Sequence, residues 1–291
     1  MFERRRLILG GMLALAAARP ARAVTLVRYP RSEPQGQGDQ SEHYPVRLLR
    51  MALAYAGQPH AIEPTTYKMG QTRALVELQN GRAIDVLWTM SSRRREAELL
   101  PVRVPLDMGL IGWRLLLIRR SDAARFDAIR SPAALQQLAA LQGHDWPDTD
   151  ILRANGYRVD TGSDYAGMFK MLSSSRADYF PRSVFEVWNE FDAFNWDDLM
   201  VAPGLALHYP SAFYFFVRKS NPALAETIQY GLERMMADGS YARVFNDYFG
   251  EVIHRSALSL RRIFELNNPL LPAATPLARR ELWFQPGQLR K

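Results

Sequence analysis

Apolar positions along this chain fall either in short continuous runs or at intervals of three and four, the signatures of buried strands and of helices. TLVRYP (residues 25–30) predicts a short strand closed by Pro30, and the polar RSEPQGQGDQSE that follows predicts a loop. From Ser41 to Ala56 the residues Val46, Leu49, Leu53 and Ala56 recur at helical spacing, with Gly57 where a helix stop belongs. AIEPTT predicts a second strand, and Gly70 to Asn80 a helix with Ala74, Leu75 and Leu78 on one face and Gly81 at its end. AIDVLWTM is continuous and apolar, as expected of a strand covered on both faces. VRVPLDMGLIGWRLLLIRR reads as two extended runs broken at Gly109 and Gly112.

The pattern then restarts. SPAALQQLAAL predicts a helix capped by Ser131 with Pro132 at its first position. GHDW precedes a predicted helix near Asp148 to Asn155, and YRVDTG predicts a strand. DYAGMFKMLSSSRA is amphipathic through Met168, Phe169 and Leu172, ADYFPR predicts a strand, and VFEVWNEF a helix. SAFYFFVRKS is a strongly apolar strand, followed by two helices separated at Asp238-Gly239. From Glu251 the tail is basic and Pro-containing, with Leu270, Leu271, Trp283 and Phe284 as packing anchors. Strands alternating with helices place the chain in the α/β class, with crossover helices over its sheets.

The first residues change the reading of charge. Arg4, Arg5 and Arg6, the apolar LILGGMLALAAA and the small-x-small Ala21-Arg22-Ala23 predict a signal peptide over residues 1–23, exported to the periplasm. Its apolar part is shorter than the ~20 residues a spanning helix needs. Cleavage after Ala23 removes five arginines and Glu3, taking the formal net charge from +7 to +3. A nucleic-acid partner then loses most of its support. The absence of cysteine excludes disulfides, thiolate metal sites and cysteine catalysis.

Three stretches carry a family resemblance. FYFFVRKSNPALAETIQYGLERMMADGSYARVFNDYFG joins an apolar strand, a basic residue, Asn-Pro, a long helix, Asp-Gly-x-Tyr and an aromatic-Gly ending. ALVELQNGRAIDVLWTMSSRRREAELL joins a helix, a glycine, a strand through Asp-Val, a Ser-containing turn and arginines. Arg176 and Asp178 precede a third apolar strand. In this the chain resembles the extracellular solute-binding proteins of family 3, the periplasmic binding proteins of amino-acid ABC transporters. The resemblance implies a two-lobed type 2 periplasmic binding fold, each lobe a mixed sheet flanked by helices. Lobe 1 would span 24–119 plus 209–291 and lobe 2 120–208, joined by two crossover strands at Leu115–Arg119 and Ala212–Arg218. It further implies a monomer that closes around a small solute for an ABC permease or a membrane sensor, with no cofactor.

The resemblance gives Arg95 the role of clamping a ligand carboxylate, for which a planar guanidinium offers two parallel charge-assisted hydrogen bonds. Ser91, Ser92 and the backbone N–H groups beyond them would add donors. The alternative is that Arg93, Arg94 and Arg95 are solvated charges on a turn. In the second lobe, GHDWPDTD departs from the family's anion-binding loop. Trp146 would stack on a ligand and Asp145 or His144 hydrogen-bond it, or the segment is simply a capped helix start. Where the family has an ammonium-binding aspartate, this chain reads DYFPRS, with Pro181, Arg182 and Ser183. If Arg182 faces the cleft together with Arg95, the expected ligand is an anionic organic solute or an amino-acid derivative. The alternative for Arg182 is an ion pair with Glu186 at helical spacing. Tyr29, Trp88 and Tyr179 sit near strand ends, as an apolar wall or as core, Arg114 precedes the first crossover, and Arg73 is a further candidate.

No HExxH, GxSxG or phosphate loop is present. His144, Asp145, Asp148 and Asp150 lack the second ligand segment that a metal site requires, so neither a metal nor a catalytic residue is expected. Two other readings of the same fold remain: a dehydratase, which needs a buried acid beside Arg95, and a sensor or docking module without transport.

Overall fold

The computed structural model describes residues 24–31, 43–194 and 196–286. The predicted signal peptide lies outside these residues. The chain runs β1 (Thr25–Arg31), α1 (Tyr44–Ala54), β2 (His60–Lys68), α2 (Gln71–Asn80), β3 (Val86–Met90), α3 (Arg93–Glu98) and β4 (Leu99–Pro101). It continues with β5 (Trp113–Arg119), α4 (Ala123–Asp127), α5 (Pro132–Gln136), β6 (Ala139–Gly143), α6 (Pro147–Ala154), β7 (Arg158–Gly162), α7 (Tyr165–Ser173), β8 (Tyr179–Ser183), α8 (Val184–Phe194) and β9 (Leu199–His208). It ends with β10 (Phe213–Arg218), α9 (Pro222–Ala237), α10 (Ser240–Ser256) and β11 (Arg262–Glu265).

Two bodies of sheet result. β3, β10 and β4 form an antiparallel sheet with β10 in the middle, and β1 pairs with β2 in parallel. The parallel pair joins β3 at Asp85, whose N–H donates to the Arg28 carbonyl at 2.8 Å and whose carboxylate accepts the Arg28 N–H at 3.0 Å. The second body is a six-stranded mixed sheet in the order β11-β9-β5-β8-β6-β7. β5, read from sequence as a crossover strand, is fully integrated there, antiparallel to both β8 and β9. The chain therefore passes between the sheets just before Trp113 and just after His208. Those two links touch at Gly112, where a Cβ would come within 2.1 Å of the Tyr209 carbonyl, so only glycine permits the approach.

Among the elements that differ from the expected pattern, the extended run expected from Val102 forms no strand before Trp113, β11 arises within the tail, and two more strands of the larger sheet were hidden. The helix expected over SPAALQQLAAL stops at Gln136, and Ala139–Gly143 becomes β6, buried at every position between β8 and β7. Tertiary burial outweighs the helical spacing of an Ala- and Leu-rich stretch. β9 carries Pro203 and Gly204 inside a strand, which hides it from a sequence reading. Its pairing with β5 is irregular between Val201 and Ala206, so these residues sit where no ladder bond is made.

One apolar cluster links the two bodies. It includes Val86, Phe215 and Val217 of the smaller sheet, Phe245 and Phe249 of α10, and Val184, Phe180 and Leu117 around the larger one. At the first link, buried Asp107 accepts the N–H groups of Gly109 at 3.0 Å and Ile111 at 2.7 Å. Burial outweighs those bonds and pushes its carboxyl up to about 7. A raised acid pKa means the folded state binds this proton more tightly than the unfolded chain. Its contribution to stability thus falls as pH rises from about 4 to about 7 and is level above that. Asp107→Asn is expected to flatten this fall, so urea midpoints at pH 5 and pH 8 should differ less in the variant than in the parent. An unchanged difference would refute the assignment.

Candidate functional site

β3, β6 and β8 all end toward the same region between the two sheets, the place where open α/β sheets bind ligands. The three consecutive arginines after β3 meet three fates. Arg93 donates its backbone N–H to the Leu270 carbonyl at 3.0 Å and its guanidinium to the Pro269 carbonyl. Arg94 is solvated, its side chain 89% exposed and 3.7 Å from Glu98. Arg95 turns inward and is buried.

Local structure aims it. Ser92 caps α3, its hydroxyl accepting the Arg95 N–H at 3.2 Å, while the Ser91 hydroxyl donates to Glu96 at 2.6 Å. Glu96 is itself paired with Arg103 at 2.5 Å. Both serines thus position the turn and spend their hydroxyls within it. The Arg95 guanidinium donates to Thr89 Oγ1 at 2.9 Å, the Met90 carbonyl at 2.7 Å and Gln71 Oε1 at 2.6 Å. All three partners are neutral. Among the described residues no carboxylate lies within ion-pair distance of Arg95, and burial, only partly offset by the more distant Asp148 and Asp145, draws its pKa down to about 10.

The other two buried arginines are the opposite case. Arg182 donates to Glu190 at 2.8 and 3.0 Å and stands 3.4 Å from Glu186. Arg114 lies 2.5 Å from Asp148 and 3.5 Å from Glu186. The Tyr209 and Tyr165 hydroxyls close the network by donating to Asp148 and Glu190. For both arginines burial opposes the charge, and the neighbouring carboxylates overcome it, raising the pKa above the ordinary arginine value. Arg182 is thus held in ion pairs, as its spacing to Glu186 allowed, with Glu190 one further turn along α8 as its closest partner. Arg114 keeps one unmet group: its buried Nε finds no hydrogen-bond acceptor, and Gln142 Oε1, two strands away in β6, finds no donor.

Around this network, Trp146 lies flat over Gly143, where a Cβ would meet its ring at 2.5 Å, and holds the Arg182 guanidinium 4.7 Å from its centre. Asp145 is exposed and accepts a hydrogen bond from Thr72 Oγ1 at 3.1 Å, linking the β6–α6 turn to α2. Trp88 and Tyr29 meet at a tilt with ring centres 5.8 Å apart on the face of β3 away from Thr89, where Phe215 also packs. Tyr179 is fully buried against Phe126 in the core of the larger sheet. Arg73 is exposed and lies over Tyr67. The structure so brings Arg95, Ser92, Asp145, Arg114, Trp146 and Arg182 to one region and leaves Tyr179 outside it. Gln71, Thr72, Thr89 and Glu190 belong to the same region and were not singled out from sequence, and Asp148, read there as part of an acidic cluster, joins them as the partner of Arg114.

Surface hollows along Gly57 to Ala61 and around Thr25, Asp85 and Asn221 lie at the amino ends of β1 and β3, away from Arg95. Among the described residues no group of three or more His, Cys, Asp or Glu could hold a metal ion, and no helix is long and apolar enough to cross a membrane.

No family model matches the sequence, and no curated protein matches it. Solved structures do. An ancestral arginine-binding protein bound to arginine superposes with a TM-score of 0.56 at 18% identity, covering 77% of this chain and 98% of that one. The probable amino-acid ABC transporter extracellular-binding protein of Bacillus subtilis gives 0.59 at 17% identity, covering 78% and 99%. The fold is that of the type 2 periplasmic binding proteins. A histidine kinase sensor domain with similarity to periplasmic binding proteins gives 0.56 at 18% identity, over 80% and 98%. The type 2 fold is two-lobed and α/β, as the resemblance in the sequence implied.

Proposed function

We propose that this chain is a periplasmic solute-binding protein of the family 3 kind that captures a small, carboxylate-bearing organic solute between its lobes. Lobe 1 is built on β1–β4 and β10, and lobe 2 on β5–β9 and β11. The observation that carries the reading is Arg95, a buried guanidinium at a strand end with neutral partners only. A buried cation without a counter-charge is costly, and a solute carboxylate would relieve that cost while gaining bidentate, charge-assisted hydrogen bonds. The buried Nε–H of Arg114, which has no acceptor, supports the same chemistry from the facing lobe.

The engagement of Arg182 by Glu186 and Glu190 narrows the solute. One carboxylate on Arg95 is favoured over a dicarboxylate clasped by Arg95 and Arg182. Asp145, at the cleft rim, suits a hydroxyl or amino group elsewhere on the solute, which fits a hydroxy acid or an amino-acid derivative. Contacts with both lobes favour the closed arrangement and so drive hinge closure about the links at Gly112 and Tyr209. The bound form would then be handed to an ABC permease or read by a membrane sensor. A dehydratase would need an acid beside Arg95. Asp148, the nearest buried carboxylate in this region, is held by Arg114 and Tyr209, so binding is the better-supported activity.

A thermal-shift screen of organic acids, sugar acids and amino acids tests the proposal, because a tight ligand raises apparent stability by mass action. Stabilisation by carboxylate-bearing solutes is expected. Hits confined to solutes without a carboxylate would overturn it.

A further inference from the structure

The C-terminal tail does not end with the lobe it leaves. α10 is anchored on lobe 1, with the Tyr44 ring 4.5 Å from that of Phe249 and the Tyr241 hydroxyl donating to the Pro105 carbonyl. Beyond it the chain crosses to lobe 2, where β11 adds to the sheet edge parallel to β9 in register from Leu205 to His208. Arg262 seals that edge by donating to the Ile129 carbonyl at 2.7 Å, and Arg261 bonds the Ser256 carbonyl at 2.6 Å. The tail next passes over the second link. Leu266 N–H donates to the His208 carbonyl at 2.7 Å, and Asn268 Nδ2 donates to the Pro210 carbonyl at 2.8 Å.

It then returns to lobe 1. Leu270 accepts the Arg93 N–H at the start of α3, two residues from Arg95. Arg279 clamps Glu233 of α9 through bonds of 2.6 and 2.9 Å. Finally the tail covers the first link. Trp283 lies so close to Gly109 that a Cβ there would sit 2.7 Å from the ring. Phe284 N–H donates to the Met108 carbonyl at 2.7 Å, and its ring meets Trp113 at 6.2 Å.

A second fastening lies beside it. Trp188 of α8, in lobe 2, donates to Ser256 Oγ of α10 at 2.8 Å. Arg255 pairs with Asp192 at 2.8 and 3.2 Å and covers the Trp188 ring at 4.1 Å. A hinge of two links opens by φ/ψ changes at a few residues. Here the polypeptide passes between the lobes four times, and opening would also have to break hydrogen bonds and apolar contacts made by the tail.

We propose that the tail, residues 257–286, is a strap that sets the angle between the lobes before any solute arrives, leaving solute binding only a small closing motion to complete. This rests on the two-lobe division above and deepens the binding reading by assigning the control of cleft width to the tail. Specificity would then come from a preformed gap around Arg95, with less ordering cost on binding.

The chain has no cysteine, so spin labels can be placed at will. Arg73→Cys and His144→Cys put labels on opposite rims of the cleft, at side chains 61% and 59% exposed. Pulsed electron–electron distance measurement without solute should give one narrow distribution in the otherwise native protein. In Trp283→Ala/Phe284→Ala the distribution should broaden and move outward by several ångströms. Should that variant fail to fold, Arg93→Ala/Arg279→Ala loosens the same strap at its Pro269 and Glu233 contacts and should show the same outward shift. A broad distribution in the intact protein, or a narrow unchanged one in a folded strap variant, would overturn the proposal. No solute enters the measurement, so it stands apart from the identity, or the absence, of a ligand.

Discussion

Arg95→Met is expected to abolish solute binding while leaving the protein as stable as before or more so. The two effects have one origin. In the native protein Arg95 gives up hydration for three neutral acceptors and no counter-charge. Methionine relieves the buried cation and loses those bonds, each worth about 1.5–3 kcal/mol net because the donor is charged, so the changes oppose one another and the net change in stability is small. The solute loses its charge-assisted pair, and affinity should fall by roughly 100-fold or more, at ~1.5–3 kcal/mol per hydrogen bond to a charged group. Arg95→Lys keeps the charge but not the fork, and should bind with an intermediate loss. Calorimetry of a screened solute and thermal melts of the three proteins measure both halves. A strongly destabilised Arg95→Met would mean that the guanidinium serves the fold.

Arg182→Met should do the reverse. It strips the cation from Glu190 and leaves that buried carboxylate without a counter-charge, while the half-buried Glu186 keeps Arg114. Breaking a buried pair from one side costs about 3–5 kcal/mol, and urea denaturation should show a loss of that order. Replacing the pair together, Arg182→Met with Glu190→Leu, should recover most of the loss, because no lone charge then remains beside Trp146 and Phe180. If Arg182→Met lost affinity and kept its stability, Arg182 would be a ligand group after all. The contrast with Arg95 separates two buried arginines that look alike in sequence.

What could be read in advance follows from where the determinants lie. The alternation of apolar runs and helical spacings gave the α/β class, because each element buries one face or both. The strand–turn–helix from Val86 through Arg95 was legible because Ser92 is a local cap and Arg95 follows it by three residues. The charge partners were harder. Glu190 lies eight residues from Arg182 and is visible as a second helical turn, but Asp148 reaches Arg114, and Gln71 reaches Arg95, only through the packing of separate elements. β6 and β9 escaped for the same reason: an Ala- and Leu-rich run and a Pro-Gly interruption take strand form only between the neighbours the sheet supplies. The tail's anchors Trp283 and Phe284 were evident as apolar residues. Their target, the link at Met108 to Trp113, exists only in the folded molecule.

The most direct measurement of the central claim, that Arg95 clasps a solute carboxylate, is a paired titration. A solute that stabilises the protein in the screen is compared by calorimetry with its own primary amide, at neutral pH and low salt. The two have nearly the same shape and differ in the charge that Arg95 should neutralise. The acid is expected to bind and the amide to bind at least about 100-fold more weakly, the difference disappearing in Arg95→Met. Equal affinity for acid and amide in the native protein would contradict it.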